Sequence, residues 1–188
     1  MSLLIFNISE VLTVSTPASS SAALPIAHVV LRILVVLNWL YGAGILVLLL
    51  VMPHEQWILA SFKIPPSPDA ARLIMGLRAI AVAGIAAVPV NYAILTRLLA
   101  IVGTVREGDP FVAANADRLQ AIGWALVALQ LLGLVIGTIV KAISSPAHPV
   151  NIDAGFSING WLAVLLTFVL ARVFAEGTLM REDLDGTV

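Results

Sequence analysis

Residues 119–140 read LQAIGWALVALQLLGLVIGTIV and contain no charged side chain. A helix crossing the hydrocarbon core of a bilayer needs about 20 mostly apolar residues. Arg118 and Lys141 bracket the stretch, and long cationic side chains at such positions reach back to the headgroups. A strand of a membrane barrel would alternate apolar and polar residues over about ten positions. This run is longer and apolar on every side, so it predicts a spanning helix.

Three further blocks meet the same requirement. Residues 26–52 carry Arg32 as their only charge. Residues 73–102 have an uncharged centre, 79–96, between Arg78 and Arg97. Residues 154–171 lie between Asp153 and Arg172. The fold class is therefore all-α: a polytopic membrane protein built as a four-transmembrane-helix bundle. Hydrophobic residues make up 60% of the 188 and charged residues 11%, against roughly 45–50% and 25% in a globular domain. A soluble domain of this size does not hide that much apolar surface, so the lipid bilayer is the first partner implied. The net charge of −1 gives no basic field for nucleic acid, and no direct nucleic-acid binding is expected. The chain has no cysteine, which removes disulfides, thiolate metal ligands and cysteine nucleophiles.

Residues 1–25 read as a separate N-terminal segment and linker, residues 26–175 as the transmembrane domain, and residues 176–188 as a tail. Leu3, Leu4, Ile5, Phe6, Ile8, Val11 and Leu12 are apolar, but no Lys or Arg precedes them, and Asn7, Ser9 and Glu10 interrupt the run. A cleavable signal peptide wants a basic start and an unbroken apolar core. The segment reads instead as a short surface-lying helix, then a flexible linker through Thr16, Pro17, Ser19, Ser20 and Ser21.

Four spans put both termini on one side. That side holds Arg32, Arg97, Arg106, Arg118, Arg172 and Arg181, and the other Lys63, Arg72, Arg78 and Lys141. The positive-inside rule then places both termini in the cytoplasm, for a multi-pass protein of the cell inner (plasma) membrane. The outward loops are residues 53–70 and 145–153.

Helices in lipid associate where small residues let backbones approach. Gly133 and Gly137 form such a spacing, with Ala83, Ala87, Gly42 and Gly44 as weaker cases. They serve either packing within the chain or a homo-oligomer. Asn38, Asn91 and Gln130 are intramembrane polar residues that either hydrogen-bond between helices or line a polar cavity. No Asp or Glu lies at the centre of a span, which argues against a proton-coupled pump. His28, His54 and His148 show no metal-ligand spacing, and no metalloprotease, paired-carboxylate or serine-elbow pattern occurs. Neither catalysis, cofactor nor metal is expected.

Two segments outside the spans are patterned. Residues 104–123 read TVREGDPFVAANADRLQAIG. Gly108 permits a turn, Asp109 can cap a helix and Pro110 suits its first position. Phe111, Asn115, Arg118, Leu119 and Ile122 then share one face. This predicts a short cytoplasmic surface helix before the third span, anchored on the membrane by Phe111. It is either a well-made helix start or a docking surface. In the tail, Gly177 is expected to break the helix, and Glu182, Asp183 and Asp185 form an acidic end mixed with Leu179, Leu184 and Val188. The tail is either solvated or a docking element. Together Arg106, Asp109, Phe111, Asn115, Arg118, Arg181 and Glu182 are the candidate docking residues.

Gly108, Pro110, Phe111, Asn115, Leu119 and Gly123, with Gly177, Leu179, Arg181, Glu182 and Val188, resemble a bacterial four-span membrane family catalogued as domain of unknown function 2975. The likeness extends over residues 26–188. It implies a neighbourhood with a small helix-turn-helix regulator of the Cro/CI type, and hence a membrane-embedded regulatory or sensory partner of a cytoplasmic DNA-binding protein. The alternative reading is a small transporter or channel, or an accessory subunit of one.

Overall fold

A computed structural model of the chain describes residues 20–51, 68–144 and 154–185. They form α1 (Ser20–Val51), α2 (Pro68–Arg106), α3 (Ala113–Ile143) and α4 (Ile158–Asp185), with no strand among the described residues. All four helices are long and apolar enough to cross a membrane, and the chain is read accordingly as a multi-pass membrane protein. Most of both outward loops, including His54 and His148, and the surface helix expected before Thr16 lie outside the described residues. The serine linker ends earlier than expected: α1 already begins at Ser20.

Packing runs between chain neighbours, α1 on α2, α2 on α3, and α3 on α4. Each pair is antiparallel, as its residue contacts require. Asn38 and Ile45 of α1 lie beside Val88 and Gly84 of α2. Gly76 and Thr104 of α2 meet Ile143 and Asn115 of α3. Gly123 and Gln130 of α3 meet Phe168 and Gly160 of α4. On α1 the less exposed positions include Leu24, His28, Leu31, Val35, Asn38, Gly42, Ile45 and Leu49, a three-four spacing that makes one seam toward α2. No residue of the α1 span is buried by protein. Apolar side chains elsewhere on it, such as Ile33, Val36, Leu40 and Leu50, are more than half exposed, as a lipid-facing surface would be.

The 39 residues of α2 span about 58 Å at a rise of about 1.5 Å per residue, well over the roughly 30 Å hydrocarbon core. The end of α2, the start of α3 and the end of α4 stand together at one end of the packed helices. No separate surface helix precedes the third span. Residues 109–112 are non-helical and α3 runs unbroken from Ala113 to Ile143, so the expected surface helix is the first turns of α3 itself. Proline disfavours helical backbone in the residue before it, which keeps Asp109 out of a helix. The N-cap position falls to Val112, without a side-chain cap.

The tail departs from expectation in the other direction. Glycine weakens a helix by about 1 kcal/mol relative to alanine, yet α4 continues through Gly177 to Asp185. The reason is packing: a Cβ at Gly177 would lie 2.8 Å from Cδ1 of Phe111. The glycine is the flat spot on which that ring rests.

The small-residue spacing on α3 is occupied within the chain. A Cβ at Gly137 would lie 2.7 Å from Cα of Gly155 and 2.9 Å from the carbonyl oxygen of Ala154, while one at Gly133 would reach the Gly155 oxygen at 3.6 Å. Gly155 itself takes φ +131°, a conformation open to glycine alone at little cost. Ser157 then caps α4, its Oγ accepting the Gly160 N–H at 3.1 Å.

Candidate functional site

The loop between α2 and α3 begins with a helix stop written by glycine. Gly108 has φ +86°. Its N–H donates to the Val105 carbonyl at 3.2 Å, and the Asp109 N–H donates to the Thr104 carbonyl at 3.0 Å. This pair of bonds is the Schellman arrangement, which requires a left-handed residue after the helix. It turns the chain back so that Pro110 and Phe111 lie over the end of α2.

Asn115 holds the turn. Its side chain is fully buried, so its amide groups need partners. Nδ2 donates to Thr104 Oγ1 at 2.7 Å and to the Pro110 carbonyl at 2.8 Å. Oδ1 accepts from Arg118 at 2.7 Å. Thr104 passes its own hydroxyl proton to the Ile101 carbonyl at 2.8 Å. One amide thus ties the end of α2, the loop and the first turns of α3. Leu119 and Ile122, on the same face, are buried beneath it.

The tail of α4 closes over this turn. Phe111 meets Phe174 with ring centroids 5.3 Å apart, a pairing worth about 0.5–1.5 kcal/mol beyond area. Arg181 pairs with Asp109. Both side chains are nearly half exposed, so solvent limits that pair to about 0–1 kcal/mol. Thr178 is buried and donates to the Phe174 carbonyl at 2.9 Å. Phe111 is accordingly a strut between loop and tail.

Five of the candidate docking residues, Asp109, Phe111, Asn115, Arg118 and Arg181, therefore join one another or the adjacent turn in a single clasp. Arg106 is exposed at the end of α2, and the side chain of Glu182 lies outside the described residues. The sequence reading missed Thr104 and Phe174. Phe174 carried a usable signal, since it lies three residues before Gly177 on the same helical face.

The intramembrane polar residues do not share one cavity. Asn38 donates to the Val88 carbonyl at 3.1 Å, one residue before Pro89 inside α2. Asn38 of α1 and Asn91 of α2 line a groove of about 360 Å³ between those helices, whereas Gln130 lies against Gly160 between α3 and α4. Asn38→Val is expected to weaken the α1–α2 seam by about 0.6 kcal/mol, the average for such bonds in lipid. Denaturant titration followed by tryptophan fluorescence reads it, since Trp39 sits beside Tyr92 with centroids 5.6 Å apart. Among the described residues no cluster of three or more His, Asp or Glu is placed to hold a metal.

Long apolar helices in antiparallel sequence, with a loop and tail clasped at one end, define a multi-pass helical membrane protein. The model of the family described as Protein of unknown function (DUF2975) matches residues 53–188, well over half of the chain, and the protein belongs to that family. The clasp and helices α2, α3 and α4 lie inside the match, and α1 precedes it. No curated protein and no solved structure matches the chain.

Proposed function

We propose that this protein is a non-enzymatic regulatory or sensory partner, set in the bacterial inner membrane, of a small cytoplasmic DNA-binding regulator. The clasp end would lie in the cytoplasm, and both termini with it. The observation that carries this reading is the convergence of the patterned loop and tail into one pre-formed unit. A surface built in advance loses little conformational entropy on binding, which suits a docking platform. The excess of arginine on that side supports the orientation, and a helix-turn-helix partner is what the resemblance noted in the sequence implies. The transporter reading is weaker, because Asn38, Asn91 and Gln130 do not line a common path.

Crosslinking in native membranes tests the reading. With a tag at the N-terminus and Val188 left free, mass spectrometry is expected to recover a small helix-turn-helix protein linked near residues 106–118 or the tail. Deleting residues 177–188 while neutralising Arg106 and Arg118 is expected to abolish that capture. Recovery of membrane proteins alone would move the assignment to an accessory subunit or a pore, to be followed by transport assays in liposomes.

A further inference from the structure

Because Asp109, Phe111, Asn115 and Arg181 are engaged with the chain's own residues, a partner meets the surface they build rather than those groups. That surface contains a groove along the start of α3 and the end of α4. Two cavities of about 260 Å³ each share Ala116, Asp117 and Ala175. The first reaches Ala171 at the level of Arg172, and the second runs to Ala113 and Leu179. Alanines on both walls let another backbone come close, as small residues do wherever helices pack tightly. Leu179 is 56% exposed and stands seven residues, about 10 Å, beyond Arg172, where the sequence reading ends the fourth span.

The lining of the groove carries one cation, Arg172, and one anion, Asp117. Arg172 is held by Glu176 at 2.5 Å in an i,i+4 pair. Asp117 lines both cavities, is exposed, and has no ion pair among the described residues. The groove therefore presents an uncompensated carboxylate on a floor of alanines.

We propose that this groove binds a basic amphipathic α-helix of a cytoplasmic protein. Two small or apolar anchors would fill the two cavities, and a Lys or Arg between them would meet Asp117. Along α4 the two cavities together run from Phe168 to Leu179, about 16 Å. That length accommodates anchors about two turns apart on the incoming helix. The inference rests on the proposed function for the side of the membrane and the class of partner, and it adds where and how that partner is held. A helix with this charge also suits DNA phosphates, so the same helix would not serve both at once.

The probe is a synthetic helix with leucines about two turns apart and lysines between them, offered to the full-length protein in nanodiscs of phosphatidylcholine. The control helix carries glutamate in place of lysine. Binding of the lysine helix alone is expected. Asp117→Lys and Ala175→Trp should each weaken it by roughly tenfold, through charge reversal and through filling of the groove. Asp183→Lys, off the groove, should change it by no more than about twofold. Failure of the lysine helix to bind the wild-type protein overturns the proposal. Equal binding of both helices, or an equal response to Asp183→Lys, also overturns it and leaves only general adsorption. The two readings separate in native membranes. A captured regulator indifferent to Asp117→Lys and Ala175→Trp would sink the groove and spare the proposed function, whereas absence of any regulator would sink the proposed function whatever the synthetic helix does.

Discussion

Asn115→Leu is expected to release the end of α4 from the loop while leaving the four spans packed. Asn115 supplies both donors to Thr104 and Pro110 and the acceptor for Arg118. Leucine fills a similar volume and supplies none of these. Thr104 keeps its bond to Ile101, so the uncompensated groups are the Pro110 carbonyl and the Arg118 guanidinium. Leaving such groups unpaired beside a buried side chain costs about 1–3 kcal/mol. What remains of the clasp is a half-exposed ion pair, worth at most about 1 kcal/mol, and a ring pair of about 0.5–1.5 kcal/mol. The loss is of the same size as the remainder, so the open form should rise by roughly five- to hundredfold. Limited trypsin digestion at Arg181 reads the opening. Asp109→Asn, which removes only the exposed pair, should raise the digestion rate no more than about fivefold. If Asp109→Asn opened the tail as far as Asn115→Leu does, the amide would not be the centre of the clasp.

The spans were legible because the signal is local. A block such as residues 119–140 needs no knowledge of its neighbours to demand a bilayer or a core. Gly108 was legible for the same reason, since a left-handed helix stop is written in one residue. The face carrying Asn115, Leu119 and Ile122 followed from periodicity, and all three positions are buried. What periodicity could not give was the object facing Asn115. That object is the turn made by the chain itself, which exists only after Gly108 has reversed it.

Two local rules misled for an identifiable reason. Asp109 and Pro110 satisfy the rules for a helix start, but Asp109 is drawn to Arg181 and Phe111 to Phe174, and the chain stays non-helical through Val112. Gly177 satisfies the rule for a helix end, but a contact from a distant segment outweighs a propensity of about 1 kcal/mol. In both cases the overriding term is a loop-to-tail contact. The Asp109–Arg181 pair closes 72 residues of sequence, a distance no local pattern spans. The division of Asn38, Asn91 and Gln130 between two helix pairs was hidden likewise, since it depends on which helices are neighbours.

Gly137→Ala is expected to destabilise the protein by roughly 1–3 kcal/mol, and Gly133→Ala to be nearly neutral. The added methyl at position 137 would meet backbone, Gly155 Cα at 2.7 Å and Ala154 O at 2.9 Å, and backbone cannot rotate aside as a side chain can. The segment it strikes is itself pinned by the positive φ of Gly155 and by the Ser157 cap. Alanine gains about 1 kcal/mol of helix propensity, which offsets part of the clash at 137. At 133 the nearest atom is 3.6 Å away, an ordinary contact, so that variant should stay within about 1 kcal/mol of the wild type. Denaturant titration in micelles at two protein concentrations reads both variants. A dimer built on Gly133 and Gly137 predicts comparable losses at the two positions and a midpoint that moves with concentration. Packing within the chain predicts the asymmetry and a fixed midpoint. The damage should also stay local, because Gly137 and the clasp lie toward opposite ends of α3. Gly137→Ala should therefore leave trypsin digestion at Arg181 near the wild-type rate, whereas Asn115→Leu raises it.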